Sequence, residues 1–176
     1  MKRFSSYEIA LSGIACAFCT ILLVLGVHYT PLLFTGYLLG GVALMLPLSE
    51  KKYGGCFLAY VGACLLTLLL SGGKWWDVLP FIFFFGLHPL VNALQEGFRV
   101  PRWIAIPVKA VWFDVAMYFV WRFIFGMNTA IAWVDKWIFP ILLIGGSLFF
   151  LFYDFAVTNA QRTVNSFLNK TIRPRK

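Results

Sequence analysis

A long segment without charge constrains this chain more than any other feature. No Asp, Glu, Lys or Arg lies between Glu8 and Glu50, so the 41 residues from 9 to 49 carry no formal charge. A helix needs roughly 20 apolar residues to cross a bilayer, and the run therefore has the length of two membrane spans. Pro31 disfavours helix in the residue before it, which places the turn between the two spans there.

Further apolar runs follow along the chain, and the composition agrees with them. Of the 176 residues, 61% are hydrophobic and 12% are charged, whereas about a quarter of the residues of a soluble domain are charged. We therefore predict an all-α integral membrane protein, a six-helix bundle that forms a single transmembrane domain. The predicted spans are 8–28, 31–48, 54–71, 78–94, 103–125 and 137–157, and residues 158–176 are predicted to form a basic cytoplasmic tail.

The distribution of lysine and arginine predicts the orientation. With the N-terminus inside, the cytoplasmic segments contain eleven of these residues and the outer loops contain two, Lys74 and Lys136. This bias follows the positive-inside rule and puts both termini in the cytoplasm. The predicted location is a cell membrane, with the bacterial plasma membrane favoured. Four tryptophans fall at the predicted outer boundary, where indole rings are enriched: Trp75, Trp76, Trp133 and Trp137.

Several classes of function are disfavoured by the sequence. The net charge of +8 does not predict nucleic-acid binding, because the basic residues lie between apolar blocks and form no continuous stripe. No metalloprotease, hydrolase or phosphate-binding motif occurs, so we expect neither an enzyme nor a bound cofactor. The four cysteines lie among small residues inside the spans, where thiols act as packing residues, and their spacing predicts no metal site.

The first span has a face of small residues. Ser12 and Cys16 lie four residues apart, and Gly13 with Ala17 forms a neighbouring small pair. Helices in lipid associate where small side chains let their backbones approach closely. Two interpretations stay open: the face packs inside the bundle, or it is a docking surface for a partner membrane protein.

The fifth span carries three charged residues, Lys109, Asp114 and Arg122. From the helical rise, Asp114 falls near the membrane midplane, and Lys109 is close enough to the cytoplasmic boundary for its side chain to extend to the headgroups. Lys109 and Asp114 point about 140° apart around the helix and cannot pair along it. Asp114 is either a buried carboxylic acid that fixes helix packing or part of a ligand or proton site.

The outer half of the membrane is the predicted place for a ligand. Arg122 lies near the outer end of the fifth span, and Trp75 and Trp76 lie in an outer loop. Arginine is suited to bidentate recognition of a carboxylate, and indole rings stack on flat ligands. We predict a small, partly planar, anionic ligand, with Arg122 as its anchor and Asp114 as a deeper contact. The other interpretation is that Arg122 extends to the headgroups.

The fourth span contains a proline and two polar residues. Pro89 frees the carbonyl of Phe85 from the helical hydrogen-bond pattern and permits a kink. His88 and Asn92 are four residues apart and share a face. They either line a binding cavity, or His88 caps backbone groups that the kink frees.

A compact bundle of six helices with both ends cytoplasmic, a small-residue face on its first helix and no ATPase motif resembles the substrate-binding S component of energy-coupling factor vitamin and micronutrient transporters. Where that family usually has Ala-x-x-x-Ala on the first helix, this chain has Ser12 followed by Gly13-Ile14-Ala15-Cys16-Ala17. The resemblance implies a transport component that binds a small solute and relies on a separate coupling module that contains an ATPase.

Two other functions are compatible with the sequence. The chain could be a small membrane protein without transport activity that acts as an assembly or regulatory partner of a larger complex. It could also be a proton- or ion-coupled carrier that uses Asp114, although the two halves of the chain show no matching broken-helix pattern of the kind that such carriers often have.

Overall fold

The computed structural model describes residues 4–124 and 132–171, and every regular element in those ranges is helical. Within them, six segments are long and apolar enough to cross a membrane. The prediction of an all-α, six-helix membrane bundle is therefore confirmed. The six segments are Ser6–His28, Thr30–Ser49, Tyr53–Leu70, Trp75–Gly97, Arg102–Val120 and Leu143–Leu168.

The described ranges contain seven α-helices. They are α1 (Ser6–His28), α2 (Leu33–Ser49), α3 (Tyr53–Leu70), α4 (His88–Gly97), α5 (Arg102–Ile124), α6 (Ala132–Ile141) and α7 (Ser147–Thr171). Of these, α6 lies outside the six membrane-length segments. A 3₁₀ turn over Thr30–Leu32, with Pro31 in its first turn, joins α1 to α2. A π-helical turn over Leu142–Gly146 joins α6 to α7, so that the chain is helical without a break from residue 132 to residue 171.

The bundle has two ends with different side chains. At the basic end, which we define by Lys51, Lys52 and Arg99, α2 connects to α3 and α4 connects to α5. The start of α1 lies at this end too, since Glu8 Oε2 is 3.7 Å from Lys52 Nζ. The opposite end, the tryptophan end, carries the exposed pair Trp75 and Trp76.

The outside of the bundle is covered by large apolar side chains. Leu69 is 80% exposed and Phe152 is 77% exposed, and similar residues occur on most of the helices. A soluble monomer rarely exposes so much contiguous apolar surface. This surface is compatible with a lipid bilayer, and the chain is a multi-pass membrane protein.

Helices α1 and α2 approach each other closely through glycine. A Cβ atom on Gly36 would lie 2.8 Å from the backbone oxygen of Leu22, and one on Gly26 would lie 3.1 Å from Cα of Leu33. These distances leave no room for a side chain between the two backbones. Close backbone contact over small residues is a main source of helix association in lipid.

The fourth span is irregular before α4 begins. It contains a 3₁₀ turn over Trp75–Val78 and a π-helical turn over Phe81–Phe85. Backbone carbonyls that leave the regular helical pattern inside a membrane need other donors. Three tyrosine hydroxyls from three other helices donate to them: Tyr37 to the Asp77 oxygen, Tyr60 to the Ile82 oxygen at 2.7 Å, and Tyr153 to the Phe85 oxygen at 3.5 Å.

Candidate functional site

Four polar side chains from three helices meet inside the bundle and form what we call the polar cluster. Lys109 Nζ donates to Asp154 Oδ1 at 2.5 Å and to Asn92 Oδ1 at 2.6 Å. His88 Nε2 lies 3.1 Å from the same Asp154 oxygen. One carboxylate oxygen therefore faces both a lysine and an imidazole.

Local sequence explains how each helix presents its residue. Pro89 occupies the first turn of α4, where its missing N–H removes no hydrogen bond. The four-residue spacing then puts His88 and Asn92 on the same face of α4. Lys109 lies two turns into α5, and Asp154 lies two turns into α7.

The cluster is deeply buried for a set of charged and polar groups. His88 is 0% exposed, Lys109 is 5% exposed and Asn92 is 6% exposed. Ionisable side chains in a membrane are costly unless they pair with one another, and they mark ligand or ion pathways. The sequence interpretation in which Lys109 extends to the headgroups is therefore wrong, because its amine turns inward to Asp154 and Asn92.

Aromatic rings close one side of the cluster. The imidazole of His88 has its centroid 4.8 Å from that of Tyr153 and 5.1 Å from that of Phe84. His88 Nδ1 has no hydrogen-bonding partner among the residues that the structure describes. The carbonyl of Phe85 accepts from Tyr153, so His88 does not have the capping role that was one of its two predicted roles.

The other side of the cluster faces a partly open cavity of about 190 Å³ between α4, α5 and α7. At that size it holds on the order of ten water-sized groups. Asn92 lines this cavity, and its side-chain nitrogen, Nδ2, is buried without a partner in the described ranges 4–124 and 132–171. The cavity is lined by Asn92, Lys109 and Asp154 together with Gln95, Glu96, Arg102, Ile106, Leu151, Phe155, Thr158, Asn159, Gln161 and Arg162.

The cavity lies toward the basic end of the bundle. Gln95 and Glu96 are in the last turn of α4, and Arg102 is the first residue of α5. In the orientation that the positive-inside rule predicts, the cavity belongs to the cytoplasmic half of the membrane.

The sequence-predicted ligand residues divide into two groups. His88 and Asn92 meet in the polar cluster, as a shared binding face requires. Arg122, Trp75 and Trp76 do not line this cavity. Arg122 is exposed in the last turn of α5, about 20 Å along the helix from Lys109, and the two indole rings form an edge-on pair 5.5 Å apart at the tryptophan end.

Asp114 has a separate environment near the middle of α5. Ser147 Oγ donates to its Oδ2 at 2.9 Å. Its other oxygen, Oδ1, is buried without a hydrogen-bonding partner among the described residues. Gly146 brings the π-helical turn against the carboxylate, because a Cβ atom on this glycine would lie 2.7 Å from Oδ1. Asp114 thus accepts a hydrogen bond from a different helix rather than from Lys109 or Arg122.

The predicted docking face of α1 has two residues that pack inside the bundle and two that are exposed. Ser12 is buried, and its hydroxyl would lie 2.5 Å from a Cβ atom on Gly55 of α3. Cys16 packs against Gly62 of the same helix. Gly13 and Ala17 point outward, and nothing lies within 4 Å of a Cβ atom on Gly13. Half of the predicted face therefore packs inside the bundle and half remains open.

Sequence reasoning missed Asp154 as the partner of Lys109. Asp154 lies inside the predicted sixth span, 137–157, directly after an uncharged run from Trp137 to Tyr153. The sequence did contain a signal for this pair, because Lys109 in the fifth span and Asp154 in the sixth span carry opposite charges. No group of three or more His, Cys, Asp or Glu residues in the described part of the chain is arranged to hold a metal ion.

Comparisons with known proteins show no similar chain: no protein family, no curated protein and no solved structure matches. The function is therefore argued from the cavity and its side chains.

Proposed function

We propose that this protein is a membrane transport component that binds a small polar solute in the cavity between α4, α5 and α7. The proposal rests on Asn92, which lines a cavity beside the Lys109–Asp154 pair and whose buried Nδ2 has no hydrogen-bonding partner among the described residues. A buried amide without an acceptor costs about 1–3 kcal/mol. A solute that accepts its hydrogen bond would recover that cost.

The geometry resembles that of small-molecule sites in general. Such sites are concave, contain convergent polar groups and often lie between the helices of a bundle. Lys109 donates to both Asn92 and Asp154, and the Asp154 carboxylate lies beside both Lys109 and His88. The pair is thus preorganised before any solute arrives, which reduces the ordering that binding requires.

Transport through such a site needs a source of energy. No nucleotide-binding motif occurs in the sequence, so we propose that a separate ATPase-containing module supplies it, as the resemblance to S components of energy-coupling factor transporters implies. The open positions Gly13 and Ala17 on α1 are the proposed contact with that module. Purification in mild detergent followed by identification of co-purified ATPase subunits tests this part of the proposal.

Solute binding is tested by ligand capture. The purified protein is equilibrated with a small-molecule extract, and the retained compounds are identified by mass spectrometry and then tested by thermal shift. We expect retention by the wild type and its loss in Asn92→Ala. Asn165→Ala, a change of the same type on α7 at a residue that does not line the cavity, is the matched control. Equal retention by both variants would contradict the assignment of the cavity.

A second candidate function rests on Asp114. Its Oδ1 is buried without a described partner, and Ser147 fixes the other oxygen. A carboxylate of this kind inside a membrane is a place for a proton or a small cation, which would make the protein a proton- or ion-coupled carrier. In proteoliposomes, uptake of the captured solute would then follow an imposed proton or sodium gradient, and Asp114→Asn would abolish that dependence.

A further inference from the structure

We infer that the solute is a small organic anion with an apolar part, whose carboxylate or phosphate group lies between Arg102 and Arg162 at the mouth of the cavity. The inference rests on the proposed function, because it assigns a chemical class to the ligand of the same cavity. Three features of the cavity support it: its charge balance, its hydrogen-bond donors and its apolar wall.

The charges that line the cavity leave an excess of one cation. Three basic and two acidic residues line it, and Lys109 and Asp154 pair directly at 2.5 Å. Arg102, Arg162 and Glu96 remain. No ion pair among the described residues joins either arginine to Glu96. An anion is the ligand charge that this remainder favours, since two arginines and one glutamate line the rest of the cavity.

The donors of the cavity also match an anion. A guanidinium group presents a planar pair of N–H groups that fits the two oxygens of a carboxylate or phosphate. Arg102 and Arg162 come from the first turn of α5 and from α7, so they reach the cavity from two helices. Asn92 Nδ2 adds a neutral donor that is already desolvated. A neutral solute would leave both guanidinium groups without a charged partner.

Part of the remaining wall is apolar and continues to the outside of the bundle, beside polar residues such as Gln95 and Thr158. The apolar residues of the lining are Ile106 of α5 and Leu151 and Phe155 of α7. Leu151 is 48% exposed and Phe155 is 69% exposed. A ligand with its anionic group at the arginines could therefore lay an alkyl or aryl part along these side chains. Anionic lipid headgroups share this chemistry, and basic pockets between helices on the cytoplasmic side bind them.

The experiment measures binding of hexanoate and hexyl phosphate to the full chain in a neutral detergent, with methyl hexanoate as the uncharged probe. We expect both anions to bind and the ester not to bind. Arg102→Gln and Arg162→Gln should each weaken anion binding about ten- to a hundred-fold, the range for a lost charged hydrogen bond. Arg99→Gln removes the same charge at the basic end outside the cavity and should leave affinity unchanged.

Two further variants distinguish a loss of anion binding from a loss of folding. Arg102→Lys and Arg162→Lys keep the charge but lose the planar donor pair, so each should bind more weakly than the wild type and retain its melting temperature. Equal binding by the wild type and all four arginine variants would overturn the inference.

A second experiment, in lipid, distinguishes the two possible sources of the anion, a small solute and a lipid headgroup. The same proteins are melted in nanodiscs of phosphatidylcholine alone or mixed with phosphatidylglycerol. Stabilisation by phosphatidylglycerol that depends on both arginines, without competition by hexanoate, would support the anion site and assign it to a headgroup, against solute binding. Capture of a neutral solute that depends on Asn92 but not on the arginines would overturn the inference and leave the proposed function standing. Binding of no probe and no captured solute would overturn both.

Discussion

Helices α1–α3 and helices α4, α5 and α7 meet through different kinds of side chain. In the first region, glycines such as Gly36 bring one backbone within van der Waals contact of the next, and the buried residues of α1 include small ones such as Ala15 and Cys19. In the second region, the polar cluster joins the helices through charged hydrogen bonds, and aromatic rings pack around Phe84 on one side of it. The first arrangement brings the backbones into contact at the glycines, whereas the second leaves a cavity of about 190 Å³.

The difference has a physical reason. Glycine contacts gain stability only when the backbones touch, so they close any gap between the helices. A buried ion pair fixes its partners at hydrogen-bond distance and keeps its long side chains extended, and space can remain beside it. We therefore place the proposed binding site in the region of α4, α5 and α7, and we expect the region of α1–α3 to act as its support.

The largest expected effect comes from removing one half of the ion pair. Lys109→Met leaves the Asp154 carboxylate without its main partner inside the membrane. We expect a loss of about 3–5 kcal/mol in the free energy of unfolding, the usual result of breaking a buried pair from one side. Denaturant unfolding in detergent measures it.

The double variant Lys109→Met/Asp154→Leu is the matched control for that loss. It removes both charges, and it should recover most of the lost stability because no uncompensated charge remains. A double variant as unstable as the single one would show that packing, and not charge pairing, holds α5 to α7.

A smaller effect is expected in the glycine-packed region. Gly36→Ala adds a methyl group that would lie 2.8 Å from the Leu22 backbone oxygen, so α1 and α2 must move apart. Overpacking of this kind costs about 1–3 kcal/mol. Gly13→Ala is the control, since open space surrounds the added Cβ and alanine has the higher helix propensity. Equal melting temperatures for the two variants would contradict close contact at Gly36.

The smallest effect on stability is expected at the open part of α1. Gly13→Leu should change the free energy of unfolding by no more than about 0.5 kcal/mol, the usual range for a surface position. If the coupling module docks there, the same change should prevent its co-purification, because a leucine keeps the two helices apart. Ile14→Leu, on the neighbouring exposed surface, should leave the complex intact. Co-purification with Gly13→Leu would remove this position from the proposed contact.

Sequence reasoning reached part of the candidate site. The four-residue spacing of His88 and Asn92 predicted a shared face, and Pro89 predicted that the carbonyl of Phe85 would need another donor. It could not find the contacts that join three helices. Lys109 is 17 residues from Asn92 and 45 residues from Asp154 along the chain, and no local pattern links such positions.

By itself, the sequence determined the elements that depend on neighbours along the chain. Apolar runs of about 20 residues specify membrane spans because an unpaired backbone is not tolerated in lipid. Proline specifies local breaks because it lacks an N–H. These effects act within one helix, so the amino-acid sequence of that segment is enough to predict them.

Only the tertiary structure decided which polar groups meet. The pairing of Lys109 with Asp154 depends on the depth and the rotation of α5 and α7, and both are fixed by packing over the whole bundle. The same packing gave Asp114 a different partner, Ser147, and left Gly13 open while it buried Ser12. A rotation of about 100° separates successive residues on a helix. Whether a side chain faces lipid, a neighbour or a cavity is therefore set by the neighbouring helices and not by its own segment.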